Sequence, residues 1–218
     1  MSDLADRLAE VTSGVDDAAR EAGRDVAGIT TVVVTKFQPV SMMRELHELG
    51  VRDFGESRHQ EAQVKAAELV GLDATWHFVG QLQSKKARQV AEYTDVVHSF
   101  DREALIVGLA GTDVFIQVNL TDDPGRGGVA PDGLDALADA AAQAGLRVRG
   151  LMAVAPLGAE PRAAFAAVRG MSERLVTSHP EASALSLGMS GDYREAILEG
   201  ATHLRIGTAI TGNRPPQG

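Results

Sequence analysis

Apolar residues recur in this chain with two alternating periods. Leu4, Leu8 and Val11 are three or four residues apart, which predicts an amphipathic helix over residues 3–22 that ends at Gly23. Beyond it, short runs rich in β-branched residues alternate with longer segments of helical period. We predict strands at residues 31–35, 52–55, 75–79, 95–98, 114–118, 148–154, 184–187 and 203–206.

Helices are predicted in the segments between these strands. Two of them are expected to begin with capping boxes, formed by Ser57 with Gln60 and by Asp192 with Glu195. An alanine-rich helix is expected to stop at Gly145. The predicted helical segments are 41–49, 57–70, a stretch from residue 84, 101–110, 131–144, 161–178 and 192–200.

Eight strands separated by helices predict an α/β fold, a single closed (β/α)8 TIM barrel with an extra N-terminal helix. The alternative is an open doubly wound sheet, but five or six strands would fit it better, and no dinucleotide glycine fingerprint follows the first strand. We expect one domain over residues 1–218, with the helix of residues 1–23 packed on it.

In a barrel, the residues that follow each strand share one rim, where binding sites are commonly built. Lys36 directly follows the first strand, and glycine-bearing turns at residues 188–192 and 205–208 follow the last two. Because closure makes the first and last strands neighbours, the lysine and both turns are expected to lie together. Backbone N–H groups at glycines, with the Ser190 and Thr208 hydroxyls, are groups that bind phosphate.

A strand-end lysine beside a phosphate-binding turn suits pyridoxal 5'-phosphate, which proteins hold as a Schiff base. Arg205 lies two residues before Gly207, so its side chain is expected to turn toward the same rim. An arginine keeps its proton, and if it faces the pyridine nitrogen the ring becomes a weaker electron sink. Each feature also has an ordinary explanation: a solvated lysine, common turns, and an arginine paired with a surface carboxylate.

Composition excludes several classes of function. The net charge is −9 and the basic residues are scattered, so nucleic acid is not an expected partner. No apolar stretch approaches the roughly 20 residues that span a bilayer, the first residues lack the pattern of a secretion signal, and cysteine is absent, so we expect no membrane association and a cytoplasmic location. The six histidines show no metal-ligand spacing, so no metal is expected.

Three further features have alternative interpretations. His77, beside Trp76, could stack on a ligand, but a hydrogen-bonded core histidine is favoured. The loop at residues 122–128 is a mobile lid or, by default, a solvated loop. Glu56, at the end of the second strand, could orient Lys36, balance Arg205 or have a structural role.

Eight short motifs follow one another in an order typical of a single protein family. They are Phe54-Gly55-Glu56, Gln60-Glu61, Trp76-His77-Phe78-Val79-Gly80, Leu82-Gln83-Ser84, Gln117-Val118-Asn119, Arg149-Gly150-Leu151-Met152, Leu187-Gly188-Met189-Ser190 and Arg205-Ile206-Gly207-Thr208-Ala209-Ile210. From about Ile29 to Arg214 the chain thereby resembles the pyridoxal phosphate homeostasis protein family. The resemblance implies a barrel similar to the N-terminal domain of alanine racemase.

The resemblance also implies roles for individual residues. Lys36 would be the cofactor lysine, and Arg205 would lie at the ring nitrogen. The phosphate would be held by Ser190, Gly207 and Thr208. The full set of candidate cofactor-binding residues is Lys36, Ser57, Gly188, Met189, Ser190, Arg205, Gly207 and Thr208.

Some positions depart from the family pattern. Ser57 stands where the family often has asparagine, which removes an amide that could meet the cofactor's ring hydroxyl. Gln81 replaces a proline, and Lys85 an asparagine. Arg126 stands in place of a common lysine.

The family role is to hold pyridoxal 5'-phosphate reversibly in intracellular vitamin B6 homeostasis, and such a protein could deliver it to apo-enzymes. Racemisation needs a second acid/base on the opposite face of the substrate, which relatives of this fold supply from an added β domain of a partner subunit. The sequence ends at Gly218, so we expect no such domain, no catalysis and a monomer.

Two alternatives stay open. The first is a pyridoxal phosphate-dependent amino-acid racemase, which would exchange the α-hydrogen of L-alanine in deuterium oxide. The second is a barrel that binds a phosphorylated metabolite without a Schiff base, in which case borohydride would leave Lys36 unlabelled.

Overall fold

The computed structural model describes residues 2–213, and its eight parallel strands form a closed barrel. The strands are β1 (Thr30–Val34), β2 (Asp53–Glu56), β3 (Thr75–Phe78), β4 (Val96–Phe100), β5 (Asp113–Gln117), β6 (Val148–Met152), β7 (Ala184–Ser186) and β8 (His203–Ile206). Their order in the sheet follows the chain, and β8 pairs with β1. The predicted TIM barrel is therefore confirmed.

Helices pack around the strands. The α-helices are α1 (Asp3–Glu21), α2 (Val40–Glu48), α3 (His59–Glu68), α4 (Ala87–Ala91), α5 (Leu134–Gln143), α6 (Pro161–Leu175), α7 (Tyr193–Leu198) and α8 (Thr208–Thr211). The extra N-terminal helix α1 packs against α7 and α8 and buries Leu4, Val11 and Val15. The two ends of the predicted domain, residue 1 and residues 214–218, lie outside the described residues, as does the Arg214 end of the family resemblance.

Both faces of the barrel strands are buried, which explains their runs of β-branched residues. Inside the barrel, Val32 and Val34 lie against Gly55, where an added Cβ would come within 3.0 Å and 3.1 Å of their methyl groups. The interior is not wholly apolar, because His77 and His98 contact each other there, with ring centroids 5.1 Å apart. The missing side chain at position 55 leaves space for the methyl groups of Val32 and Val34.

Residues 101–110 differ from the predicted α-helix. They form a 3-10 helix over Glu103–Leu109. Gly108, near its end, has a low α-helix propensity. It also lies against α4, where an added Cβ would come 2.5 Å from the Ala87 Cβ. Close packing on the neighbouring helix therefore selects a glycine at a position that the apolar period assigns to an ordinary helix.

Both predicted capping boxes are wrong. The N-cap of α3 is Arg58 without a side-chain cap, and the backbone of Ser57 instead packs against Gly80, where an added Cβ would lie 2.2 Å from the Ser57 carbonyl oxygen. Asp192 is the N-cap of α7, but its carboxylate accepts a hydrogen bond from the preceding Met189 N–H at 2.6 Å rather than from the helix. The Ser57 backbone is thus used in a tertiary contact, and the Asp192 carboxylate in a hydrogen bond to the turn that precedes its own helix.

Candidate functional site

A cavity of about 410 Å³ opens at the carboxyl ends of the strands, and we call it the rim cavity. Residues after β1 and β2 line it together with the turns after β7 and β8, as barrel closure predicts. Of the candidate residues, only Gly188 does not line it. The others, which do, are Lys36, Ser57, Met189, Ser190, Arg205, Gly207 and Thr208.

Lys36 extends from a backbone that is held on both sides. The Thr35 carbonyl accepts a hydrogen bond from Lys65 Nζ at 2.8 Å, and the Phe37 N–H donates to Glu61 Oε1 at 2.5 Å. Phe37 has a φ of 67°, a conformation that is uncommon for a residue other than glycine. The exposed Lys36 side chain therefore starts from a fixed point at the edge of the rim cavity.

A buried ion cluster supports this backbone. Lys65 Nζ lies 2.7 Å from Glu56 Oε1 and 2.6 Å from Glu61 Oε1, and the Thr35 hydroxyl donates to the same Glu56 oxygen at 2.8 Å. Burial raises the pKa of Glu56, while the charge and hydrogen bond of Lys65 act in the opposite direction. Of the three roles considered for Glu56, the contacts support the structural one.

Lys65 is not among the site residues predicted from the sequence. The sequence feature that could have indicated it is its four-residue spacing from Glu61 on α3. This spacing usually belongs to an ion pair on the exposed face of a helix. In this structure Lys65 is 5% exposed, so the pair belongs to the interior and not to the surface.

Ser190 ties the turns after β7 and β8 together. Its Oγ accepts a hydrogen bond from the Ala209 N–H at 3.2 Å and lies 3.4 Å from Thr208 Oγ1. Gly188 is buried behind the turn with a φ of 83°, and its carbonyl accepts a hydrogen bond from the Arg205 N–H at 2.9 Å. Gly188 therefore shapes the turn, whereas the two hydroxyls lie in the cavity wall.

Arg205 forms the floor of the rim cavity. Its Nη1 donates to the Ser186 carbonyl oxygen at 2.6 Å and to Ser186 Oγ at 2.7 Å, and its Nη2 donates to the Ala153 carbonyl at 2.9 Å. Burial lowers the pKa of Arg205 to about 10, and nearby Asp192 acts in the opposite direction. The guanidinium therefore stays charged at neutral pH, held by neutral oxygen atoms and not by a surface carboxylate.

The loops after β3 and β5 complete the wall. Gln81 and Arg126, two of the departures from the family pattern, both line the rim cavity. The 122–128 loop is attached to the neighbouring loop by the Gly128 N–H, which donates to Asp101 Oδ2 at 3.2 Å. This loop is therefore part of the cavity wall, and its motion as a lid stays a prediction.

His77 is a buried core histidine, as the sequence analysis favours. Its Nδ1 lies 2.9 Å from His98 Nε2, and its Nε2 lies 3.0 Å from Asp53 Oδ1. At the amino ends of the strands there is a second cavity, of about 650 Å³, which we call the opposite cavity. It was not predicted from the sequence, and Asp53, His77, Arg149 and His203 are among the residues that line it.

Neither a metal cluster nor a membrane-spanning helix occurs in the described part of the chain. No three His, Asp or Glu side chains are grouped there so as to hold an ion. No helix in that part is both long and apolar enough to cross a bilayer.

The rim cavity fits pyridoxal 5'-phosphate in size and in the groups that it offers. Its volume falls in the range of roughly 300–1,000 Å³ that small-molecule sites occupy. An amine from Lys36 suits the aldehyde, the hydroxyls of Ser190 and Thr208 suit a phosphate, and the buried cation of Arg205 suits the ring nitrogen. All of these groups line the same cavity.

The chain is similar to known proteins over nearly its whole length. Residues 19–215 match the family described as alanine racemase, N-terminal domain. The pyridoxal phosphate homeostasis protein of Pseudomonas aeruginosa is 43% identical over 98% of this chain and 97% of its own length. The protein of the same name from Escherichia coli K12 is 39% identical over 98% of each chain.

A solved structure agrees with these relatives. PipY of Synechococcus elongatus, determined with PLP bound, is 37% identical, covers 96% of this chain and 100% of its own, and has a TM-score of 0.84. The family resemblance inferred from the eight motifs is thus confirmed. The chain belongs to the pyridoxal phosphate homeostasis proteins, within the alanine racemase N-terminal domain family.

Proposed function

We propose that this protein binds pyridoxal 5'-phosphate reversibly as a Schiff base on Lys36 and buffers it in intracellular vitamin B6 homeostasis. The observation that carries the proposal is one cavity in which the lysine, the Ser190 and Thr208 hydroxyls and the Arg205 guanidinium line the same space. The names of the relatives and the PLP bound to PipY support the choice of cofactor.

Lys36 is the residue proposed to form the covalent bond. When bound, the cofactor supplies an aldehyde that condenses with the lysine amine, forming a carbon–nitrogen double bond and releasing water. The hydrogen bonds at Thr35 and Phe37 hold the backbone in advance, so little ordering is needed there on binding. Because Lys36 is exposed, water can reach the bond and reverse it, as a carrier requires.

The remaining contacts are assigned by position in the cavity. Ser190, Gly207 and Thr208 would hold the phosphate, and Met189 lies beside them in the wall. Arg205 would face the ring nitrogen as a donor and leave that nitrogen unprotonated, which limits the electron demand of the ring.

We propose that the protein does not catalyse amino-acid chemistry. Among the described residues that line the rim cavity, the ionisable side chains belong to Lys36, Arg126 and Arg205. None of these supplies a carboxylate, imidazole or phenol opposite the lysine, which two-base racemisation requires. We also propose that the protein releases the cofactor to apo-enzymes, acts as a monomer and is located in the cytoplasm.

An absorbance titration with pyridoxal 5'-phosphate tests the covalent site. Wild-type protein is expected to develop the visible band of a protonated Schiff base, and Lys36→Ala to lose it while its unfolding free energy changes by less than about 0.5 kcal/mol. Lys85→Ala, which removes an exposed lysine away from the cavity, is the matched control and should keep the band. A band that persists in Lys36→Ala would refute the assignment.

Incubating the protein, loaded with pyridoxal 5'-phosphate, with L-alanine in deuterium oxide distinguishes a carrier from an enzyme. The proposal predicts no sustained exchange at the α-carbon and no D-alanine. Sustained exchange at the α-carbon together with formation of D-alanine would favour the racemase instead. If pyridoxal 5'-phosphate binds without any visible band, the result would favour a barrel that binds a phosphorylated metabolite without a Schiff base.

A further inference from the structure

A row of hydrogen bonds crosses the barrel interior and ends at Arg205. Arg205 Nη1 lies 2.7 Å from Ser186 Oγ, which lies 2.7 Å from His98 Nδ1. The row continues through the contacts of His98 with His77 and of His77 with Asp53 already described. We call these five residues the interior chain. It connects the opposite cavity to the floor of the rim cavity.

The two ends of the interior chain set the direction of its hydrogen bonds. A guanidinium only donates, and a carboxylate only accepts. Asp53 therefore accepts from His77 Nε2, which leaves Nδ1 of a neutral His77 as an acceptor. His98 donates to it from Nε2 and accepts at Nδ1. The Ser186 hydroxyl is then the donor to His98, and its oxygen lone pairs are available to Arg205.

This direction is the one in which every polar group of the interior chain is used. Burial, followed by the neighbouring His77 and Arg205, lowers the pKa of His98 well below its ordinary value, so its ring is neutral and carries one N–H. A proton on His98 Nδ1 would make Ser186 accept from both neighbours. Its hydroxyl hydrogen would then lose its acceptor in the interior chain and remain as a buried, unsatisfied donor.

The packing around His98 holds the ring in this orientation. It stacks on Phe115 with centroids 4.6 Å apart, and neither it nor Ser186 is exposed at all. Arg205 cannot take up a further proton, so the interior chain does not conduct protons to the rim cavity. What it can do is fix the position of the guanidinium.

We propose that His98 and His77 are positioning residues of the cofactor site, acting through Ser186 on Arg205. The inference rests on the proposed function, because Arg205 has this role only if the cofactor ring lies above it. Neither histidine is among the residues that line the rim cavity. Any effect of these histidines on cofactor affinity therefore has to pass through the protein interior.

Nitrogen NMR of the full chain without cofactor reads the tautomers directly. We expect His77 and His98 each to carry the proton on Nε2, with Nδ1 unprotonated, and each to give one set of signals at neutral pH. His77→Asn and His98→Asn assign the resonances. A proton on Nδ1 of His98, or averaging between the two tautomers, would overturn the inference.

A double-mutant cycle tests the connection to cofactor binding. His98→Phe keeps a ring but removes both hydrogen bonds, and we expect the Kd for pyridoxal 5'-phosphate to rise about tenfold. His98→Asn retains an acceptor near Nδ1 and should stay within about threefold. In Ser186→Ala the interior chain is already interrupted, so adding His98→Phe should change Kd by less than about twofold.

The outcomes separate this inference from the proposed function. Wild-type protein that does not bind the cofactor overturns the proposed function and this role with it. Normal wild-type binding with additive effects of His98→Phe and Ser186→Ala overturns the positioning role alone. If His98→Phe does not fold, the positioning role is decided by the tautomers of His77 and His98 and by the Kd of His98→Asn for pyridoxal 5'-phosphate.

Discussion

A single buried ammonium group, that of Lys65, fixes the backbone from which the Lys36 side chain extends. Lys65 lies outside the rim cavity, yet it bonds the Thr35 carbonyl and both carboxylates of Glu56 and Glu61. Glu61 in turn holds the Phe37 N–H. The position of Lys36 thus depends on a charge cluster whose residues do not line the rim cavity.

Lys65→Met is therefore expected to destabilise the protein. It removes the cation and leaves two carboxylates near each other, one of them fully buried, which costs about 3 kcal/mol when a buried pair is broken on one side. Urea unfolding should show the loss, and Glu56→Gln added to Lys65→Met should recover part of it. Lys85→Met, an exposed lysine, is the control, and equal midpoints for the two lysine variants would contradict the role of the cluster.

The sequence identifies the residues that act at strand ends better than those that support them. Lys36 and Arg205 could be placed because a closed barrel brings every strand end to one rim. Lys65 could not, because its partners at positions 35 and 56 are joined to it only by the packing of α3 on the barrel. The direction of the interior chain likewise depends on contacts between five strands.

The turn between β7 and α7 is the element on which the proposed phosphate site depends. Its left-handed residue, Gly188, lets the chain reverse while its carbonyl bonds the Arg205 N–H. A side chain there would meet α7, because an added Cβ would come 2.6 Å from the Ala196 Cβ and 3.0 Å from the Tyr193 Cα. The same turn places Ser190 in the wall of the rim cavity.

Gly188→Ala is expected to lower the unfolding free energy by roughly 2 kcal/mol, from left-handed strain and the clash with α7. Its affinity for pyridoxal 5'-phosphate should fall with it, because Ser190 moves with the turn. Gly191→Ala is the matched control for stability, since an added Cβ at Gly191 has nothing within 4 Å. Unfolding curves that coincide for the two variants would show that the turn tolerates a side chain.

Strand positions could be predicted to within a few residues because buried parallel strands form compact apolar runs. Helix starts could not, because Ser57 and Asp192 match a local capping pattern that neither residue uses. The Ser57 backbone packs on Gly80, and the Asp192 carboxylate bonds the turn before its helix. The 3-10 helix over Glu103–Leu109 has the same origin, since close packing on α4 is invisible to periodicity.

Two histidines in the barrel interior, His98 and His203, have lowered pKa values, and we expect them to make the stability of the whole barrel sensitive to acid. Burial first, then His77 and Arg149, lower the pKa of His203 to about 4 from an ordinary value of 6.5. Burial lowers the pKa of His98 as well. The unfolded chain therefore binds protons below pH 6.5 that the folded chain does not.

The direction in which stability changes with pH follows from this difference in bound protons. Stability is expected to fall as pH falls from 6.5 toward 4, and the contribution of His203 amounts to about 3 kcal/mol when complete. Glu56, whose pKa burial raises, acts in the opposite direction. The quantity to measure is therefore the difference in unfolding free energy between wild type and His203→Asn at pH 7 and at pH 5.

Between pH 7 and pH 5, His203→Asn should lose less unfolding free energy than wild type does. His47→Asn, on the outer helix α2, should lose as much as wild type. Parallel pH curves for wild type and His203→Asn would rule out the interior histidine as a cause of acid sensitivity.

We propose a covalent bond between Lys36 and pyridoxal 5'-phosphate, and borohydride reduction shows whether that bond forms. The loaded protein is reduced, digested and mapped by mass spectrometry. We predict one stoichiometric pyridoxyl modification, on the peptide that contains Lys36, with Lys65, Lys85 and Lys86 unmodified. Stoichiometric label on any of those three lysines, or none on Lys36 after the visible band has formed, would contradict the account.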